Sequence, residues 1–222
     1  VANIRGKNQI QHLTVARKGQ ITGENTFGWA LLNGNSFLGG NNFADTLNFT
    51  PGRSYTFGIN SILTINQEFN ATGTCCEPIR MLSDTNGIQS TIIKYNGAFI
   101  SEYLSLRDLN AGGSVPFFAA NSVDLGNNTK WNIETTTSKD LYWVNGSGNW
   151  SDPDHWDLIS GGSGGACPPT EIDNAFFDQN SFSETDQMVT IDVISAVCKD
   201  MDWENAAYNP TLNGADTNRL FI

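Results

Sequence analysis

Three aspartates, Asp152, Asp154 and Asp157, sit close together in the run YWVNGSGNWSDPDHWD, Tyr142–Asp157. Carboxylate oxygens gathered in one turn are the hard ligands that Ca2+ takes. The run lacks the central glycine and the closing glutamate of an EF-hand loop. The first reading is that these side chains cap their own turns by accepting backbone N–H groups. A calcium site is the alternative, and no other cofactor is expected.

The same run holds three of the six tryptophans, Trp143, Trp150 and Trp156. Indole faces beside Asp and Asn side chains are the chemistry that stacks on sugar rings. Large aromatics in a Gly/Asn/Asp turn can equally be buried as a plug. We read them as a structural cap over the first layer of a β stack, where an uncovered end would leave apolar side chains and strand edges exposed. Glycan stacking stays as the rival. The two histidines, His12 and His155, have no nucleophile motif around them, so no catalytic triad is expected. Paired carboxylates of the kind that cleave polysaccharides would have to be assembled by the fold from distant positions.

These residues need a scaffold, and the composition points to its class. Only 16% of the 222 residues are charged, and 22 are glycine. Many short strands joined by turns have this make-up, because Gly, Asn and Ser supply the backbone conformations of turns. The formal net charge is −11. Nucleic acid is therefore excluded as a partner, since phosphate contacts need clustered Lys and Arg. No apolar run approaches the roughly 20 residues of a membrane span, so no membrane insertion is expected. No signal peptide is visible, and the apolar ending Leu220-Phe221-Ile222 reads as a cut through a longer protein.

Four cysteines, Cys75, Cys76, Cys167 and Cys198, contain no C-x-x-C pair, which argues against zinc. An even number in an acidic, turn-rich chain suggests an oxidising compartment. The expected disulfide is Cys167–Cys198, tying the loop after the tryptophan run to the strand Thr190–Val197. Adjacent Cys75 and Cys76 can form a strained vicinal bridge, stay reduced or pair elsewhere.

Period-2 alternation with β-branched and aromatic residues marks the strands. It is clearest in Thr46–Thr50, Ser54–Gly58 and Ile62–Asn66. Shorter runs follow at Pro78–Leu82, Thr91–Ile93, Phe99–Ile100, Tyr103–Leu106, Phe117–Ala120, Ser122–Gly126 and Trp131–Ile133. Turns are expected at Asn33–Asn35 and at Gly39–Asn42. Alternating strands joined by a two-residue Asn-Gly loop are few. The fold expected is therefore all-β, a right-handed parallel β-helix with asparagines at its corners, and an antiparallel β-sandwich is the alternative. The polar segment Glu134–Asp140 separates a first domain, 1–137, from a second, 138–222, which opens with the tryptophan run.

The second half reads NGSGNWSDPDHWD, a Gly-rich loop, CPPT, DNAFFDQNSF, VTIDV, VCKDMDW and NPTLNG. The first half contains LNFTPGRSYTFGINSILTINQEFNATGT, YLSLRDLNAGGS and NSVDLGNNTKWNI. Together these resemble a repeating segment of very large secreted surface proteins of Bacteroidota. Those are adhesin-like proteins exported by the type IX system, some serving gliding motility. The resemblance covers nearly the whole chain and carries no catalytic motif. Lys130 stands where the family commonly has a glycine before the closing tryptophan. Asp45-Thr46-Leu47 is similar to the short O-glycosylation pattern of these bacteria.

The resemblance implies an extracellular, cell-surface, non-catalytic stalk or adhesin segment. Its partners would be neighbouring repeat units of the same chain and possible surface polysaccharide. The resemblance also implies that the chain starts midway through one β unit, 1–137, and opens the next, 138–222. A polysaccharide-binding module or a polysaccharide-acting β-helix enzyme is the other class of function.

Overall fold

The computed structural model describes all residues, Val1–Ile222, which divide into two compact units, Val1–Thr136 and Thr137–Ile222. Both are built from β-strands, and the only helical turn is a 3-10 turn at Pro153–His155. No helix is long and apolar enough to cross a membrane.

The first unit winds as successive coils. β1 (Ala2–Gly6) and β2 (Gln9–Val15) form the first, and β3 (Gly19–Gly23) and β4 (Thr26–Leu32) the second. The third is one long strand, β5 (Ser36–Phe49). Next come β6 (Ser54–Phe57) with β7 (Ile62–Asn70), and then β8 (Ile79–Ser83), β9 (Ser90–Lys94) and β10 (Phe99–Glu102). β11 (Leu104–Arg107), β12 (Leu109–Gly113), β13 (Phe117–Asp124) and β14 (Trp131–Thr135) complete the unit.

Every strand pairing in this unit is parallel, and each joins a coil to the next. Ala2 lies against Gly19 and Gly19 against Ser36, while Ile10 lies against Phe27 and Phe27 against Ala44. These pairings rule out the antiparallel sandwich. The chain returns to the same place every 17 residues in the first coils, and later returns vary, from 29 residues between Ile62 and Thr91 to 14 between Phe117 and Trp131.

Strand alternation builds the core. In β8 and β9 the residues Ile79, Met81 and Ile92 point inward and are fully buried. An aromatic stack runs from coil to coil through Phe49, Phe69, Phe99, Phe117 and Trp131. Its ring centroids are 5.3, 4.7, 5.2 and 4.9 Å apart in turn, all within the favourable range for aromatic pairs. Tyr55 lies flat on Phe49 at 3.6 Å and donates its hydroxyl to the Leu32 carbonyl at 2.5 Å.

The corner expected as a turn at Gly39–Asn42 lies inside β5, which bends there without breaking. Gly40 has φ +80 and Gly23 φ +108. A Cβ on Gly23 would lie 2.1 Å from the Gly6 carbonyl oxygen, so the coils touch there backbone to backbone. Asparagines line this corner. Asn8 donates to Asn25 Oδ1 at 2.6 Å, and Asn25 donates to Asn42 Oδ1 at 2.8 Å. The Gly-x-Asn triplets at 6–8, 23–25 and 40–42 are the sequence trace of this ladder.

In the second unit β15 (Asp140–Trp143), β18 (Asn174–Phe176) and β21 (Asp200–Asp202) pair in parallel. So do β16 (Gly148–Asn149), β19 (Met188–Ile191) and β22 (Thr211–Gly214), and likewise β20 (Ser195–Val197) with β23 (Arg219–Phe221). One short strand, β17 (Trp156–Asp157), folds back antiparallel onto β15.

Candidate functional site

The tryptophan run opens the second unit and closes on itself. Asn145 and Gly146 take left-handed backbone, with φ 64 and φ 74, and reverse the chain after β15. Asn145 Nδ2 then bridges to the carbonyls of Asp154 and Ser163 at 2.7 and 3.2 Å. Pro153 starts the 3-10 turn, and the Asp152 carboxylate caps it by accepting the Asp154 N–H at 3.0 Å. This delivers Trp156 back against Trp143, with ring centroids 5.2 Å apart and planes at 89°.

Trp143, Trp150 and Trp156 are 0, 2 and 0% exposed. A buried indole needs a partner for its N–H. Trp143 donates to the Gly146 carbonyl at 2.7 Å and Trp156 to the Trp150 carbonyl at 2.8 Å. Rings with no exposed face have none to offer a sugar, so these three act as core. Phe177, which no motif in the sequence sets apart, is the hub of the cluster. It stacks on Trp203 at 3.9 Å and meets Trp143, Trp156 and Phe182 within 6.4 Å. Its place after β18, in a run of two phenylalanines, was the only signal.

The aspartates work as caps. Asp157 accepts the N–H groups of Ile159 at 3.1 Å and Gly164 at 3.0 Å through its two oxygens. Asp152 serves the 3-10 turn, and the Asp154 side chain is exposed. Asp152 and Asp157 thus each address local backbone, the arrangement of turn capping, and Asp154 does not. His155 lies flat on Trp143 at 4.8 Å, and its Nδ1 is 2.9 Å from the Val144 carbonyl. A Cβ on Gly148 would fall 2.0 Å from His155 Nε2, so only glycine leaves that ring in place. His12 is exposed on β2, with its ring 6.3 Å from that of Trp29.

Two further carboxylates fasten the unit. Asp173 is buried and accepts from Lys139 N at 2.8 Å and from Thr170 N and Oγ1 at 2.8 and 2.5 Å. Asp192, at the end of β19, accepts from the backbone and hydroxyl of Ser151 at 3.0 and 2.5 Å, tying the tryptophan loop to the next coil.

The cysteines differ from expectation. Cys167 and Cys76 are the disulfide-bonded cysteines, and Cys75 and Cys198 are free thiols. The expected Cys167–Cys198 bond is therefore corrected. Cys198 follows β20 into the core of the second unit, where it is 3% exposed and serves as a small apolar side chain. Burial first, and then Asp200, pushes its thiol up to about 11, so it stays protonated and inert at neutral pH.

In the first unit Lys94 points inward from β9 and donates to the Gln67 carbonyl. Burial lowers its pKa, and the nearby Glu68 charge acts the other way.

These features define a class, an all-β protein of stacked parallel coils whose second unit is plugged by tryptophan. No family model, no curated protein and no solved structure matches the chain.

Proposed function

We propose that this chain is a right-handed parallel β-helical stretch of an extracellular, filamentous cell-surface adhesin. It serves as stalk and attachment segment and carries no catalysis. The observation that supports this reading best is the uninterrupted parallel pairing of the first unit, coil on coil from β1 to β14. Stacking of that kind extends a protein one layer at a time, each layer held by its neighbours. The disulfide-bonded cysteines fit an oxidising compartment. The resemblance to adhesin-like surface proteins supplies the setting, attachment and gliding of a bacterium.

The test is made on intact cells of the source organism. Antibodies raised against the chain should label unpermeabilised cells, and brief surface proteolysis should remove the label. The purified chain, incubated with a panel of plant and bacterial polysaccharides, should release no new reducing ends. Labelling only after permeabilisation, or sustained sugar release, would overturn the reading.

A further inference from the structure

We propose that the open edge of the first coil, β1 with β2, is a docking surface for one more coil of the same 17-residue repeat, entering parallel with a Gly-x-Asn corner. The inference rests on the stalk reading and specifies the chemistry of the neighbour that the stalk takes.

The ladder at the corner has a direction. Each asparagine donates one amide hydrogen to the carbonyl three residues back: Asn8 to Arg5, Asn25 to Thr22, Asn42 to Gly39. Each of the first two donates its other hydrogen to the Oδ1 of the asparagine 17 residues on. Asn25 Oδ1 and Asn42 Oδ1 are thus filled from the preceding coil. Asn8 Oδ1 is the acceptor at the open end and receives no donor. The amide of an asparagine one coil earlier is the group that completes it.

The glycines repeat the pattern. The space where a Cβ would stand on Gly23 is taken by the Gly6 carbonyl oxygen at 2.1 Å. On Gly40 it is taken by the Gly23 carbonyl oxygen at 2.4 Å. At Gly6, φ +90, nothing lies within 4 Å. A preceding coil in the same register would put its glycine carbonyl there.

The backbone agrees. Ala2 N–H donates to the Lys18 carbonyl, and the Gly6 carbonyl accepts from Glu24 N–H. Alternate residues of a parallel strand bond the same neighbour. The amides and carbonyls of Asn3 and Arg5 therefore face the open edge, which is a template for another strand. Beneath it the inward side chains Ile4, Ile10 and Leu13 are only partly covered.

The probe is a copy of residues 18–34, which carries Gly23-Glu24-Asn25, joined directly ahead of Val1. The 17-residue period sets its Asn25 above Asn8 and its Gly23 above Gly6. Tethering holds the added coil at a roughly millimolar effective concentration, and nothing in the existing chain is altered. Hydrogen exchange at the Asn3 and Arg5 amides should slow at least tenfold. The effect should fall sharply when the copy carries Asn25→Asp, which lacks the donor for Asn8 Oδ1. At Arg5, whose amide remains, it should vanish with Asn3→Pro in the chain itself. Proline is tolerated on an edge strand whose N–H faces solvent, so protection of β3 and β5 should persist and show that the unit is folded.

Unchanged exchange at Asn3 and Arg5 would overturn the proposal, as would equal protection by the Asn25→Asp copy. A chain that instead dimerises through β1 also overturns it, because two copies of one edge meet antiparallel. None of these results touches the surface-labelling test of the stalk reading.

Discussion

The two units use the same parallel pairing and hold it together differently. In the first unit the early coils are equal in length, so asparagine falls on asparagine and glycine on glycine, and further along phenylalanine stacks on phenylalanine across returns of unequal length. In the second unit the returns are long and unequal, as from Asp140 to Asn174 and then from Asn174 to Asp200. A plug of Trp143, Trp150, Trp156, Phe177 and Trp203 fills the core instead. The equal early coils rest on many small repeated contacts, whereas the second unit gathers its core around a few large side chains.

That contrast is broken most directly by Trp150→Ala. Truncating a buried tryptophan should cost the second unit about 3–5 kcal/mol. Hydrogen exchange should show its amides opening while those of β3–β9 stay protected. Equal loss in both units would mean that their stabilities are not separate.

Gly23→Val attacks the other unit. It sets a branched side chain at φ +108 against the Gly6 carbonyl. The strained backbone alone costs about 1–3 kcal/mol, and the first coil must also move off. Denaturant unfolding should show the loss in the first unit, with the tryptophan fluorescence transition of the second unchanged.

High pH should also act on the first unit. Burial, the largest influence, raises the Tyr55 phenol from 10.0 to about 12 against the hydrogen bonds from Thr50. The folded state therefore holds the proton more tightly than the unfolded chain. The stabilisation is intact below pH 10 and is lost as pH climbs toward 12, by roughly 2–3 kcal/mol at 1.36 kcal/mol per pH unit. Urea midpoints at pH 9 and pH 11.5 measure it, and Tyr55→Phe should flatten much of the slope.

Asn25→Ala removes one rung, taking the acceptor from half-buried Asn8 Nδ2 and leaving buried Asn42 Oδ1 with only the backbone N–H of residue 25. About 1–3 kcal/mol should be lost from the first unit. The smallest effect is expected for Ser151→Ala, a part-exposed hydroxyl bonded to exposed Asp192. This hydroxyl-to-carboxylate bond is open to competing water, so its loss should cost only about 1 kcal/mol, read as a slight fall in the melting temperature of the second unit.

Strand positions were legible because alternation is local. Ser54–Gly58 and Pro78–Leu82 correspond closely to β6 and β8, since each inward side chain is chosen by the residue next to it. The tryptophan plug was legible for a similar reason: its three indoles lie in one run and cannot all avoid burial in a compact turn. Gly39–Asn42 misled because Gly and Asn at a bend look alike whether the ladder continues through it or stops.

By itself, then, the sequence determined an all-β chain, most of its strands, the capping aspartates and the buried indoles, all of which depend on near neighbours. The tertiary structure alone decided which strands pair and which cysteines bond. It also decided that Asn8, Asn25 and Asn42 form a ladder and that Phe177 is the hub of the second core. Parallel partners lie 13 residues apart at Ser122 and Thr135 and 34 apart at Asp140 and Asn174, and nothing local records the distance. Cys198 shows the same limit: its neighbours in sequence allowed a bond to Cys167, whereas in the fold Cys167 is disulfide-bonded and Cys198 stands as a free thiol in the core.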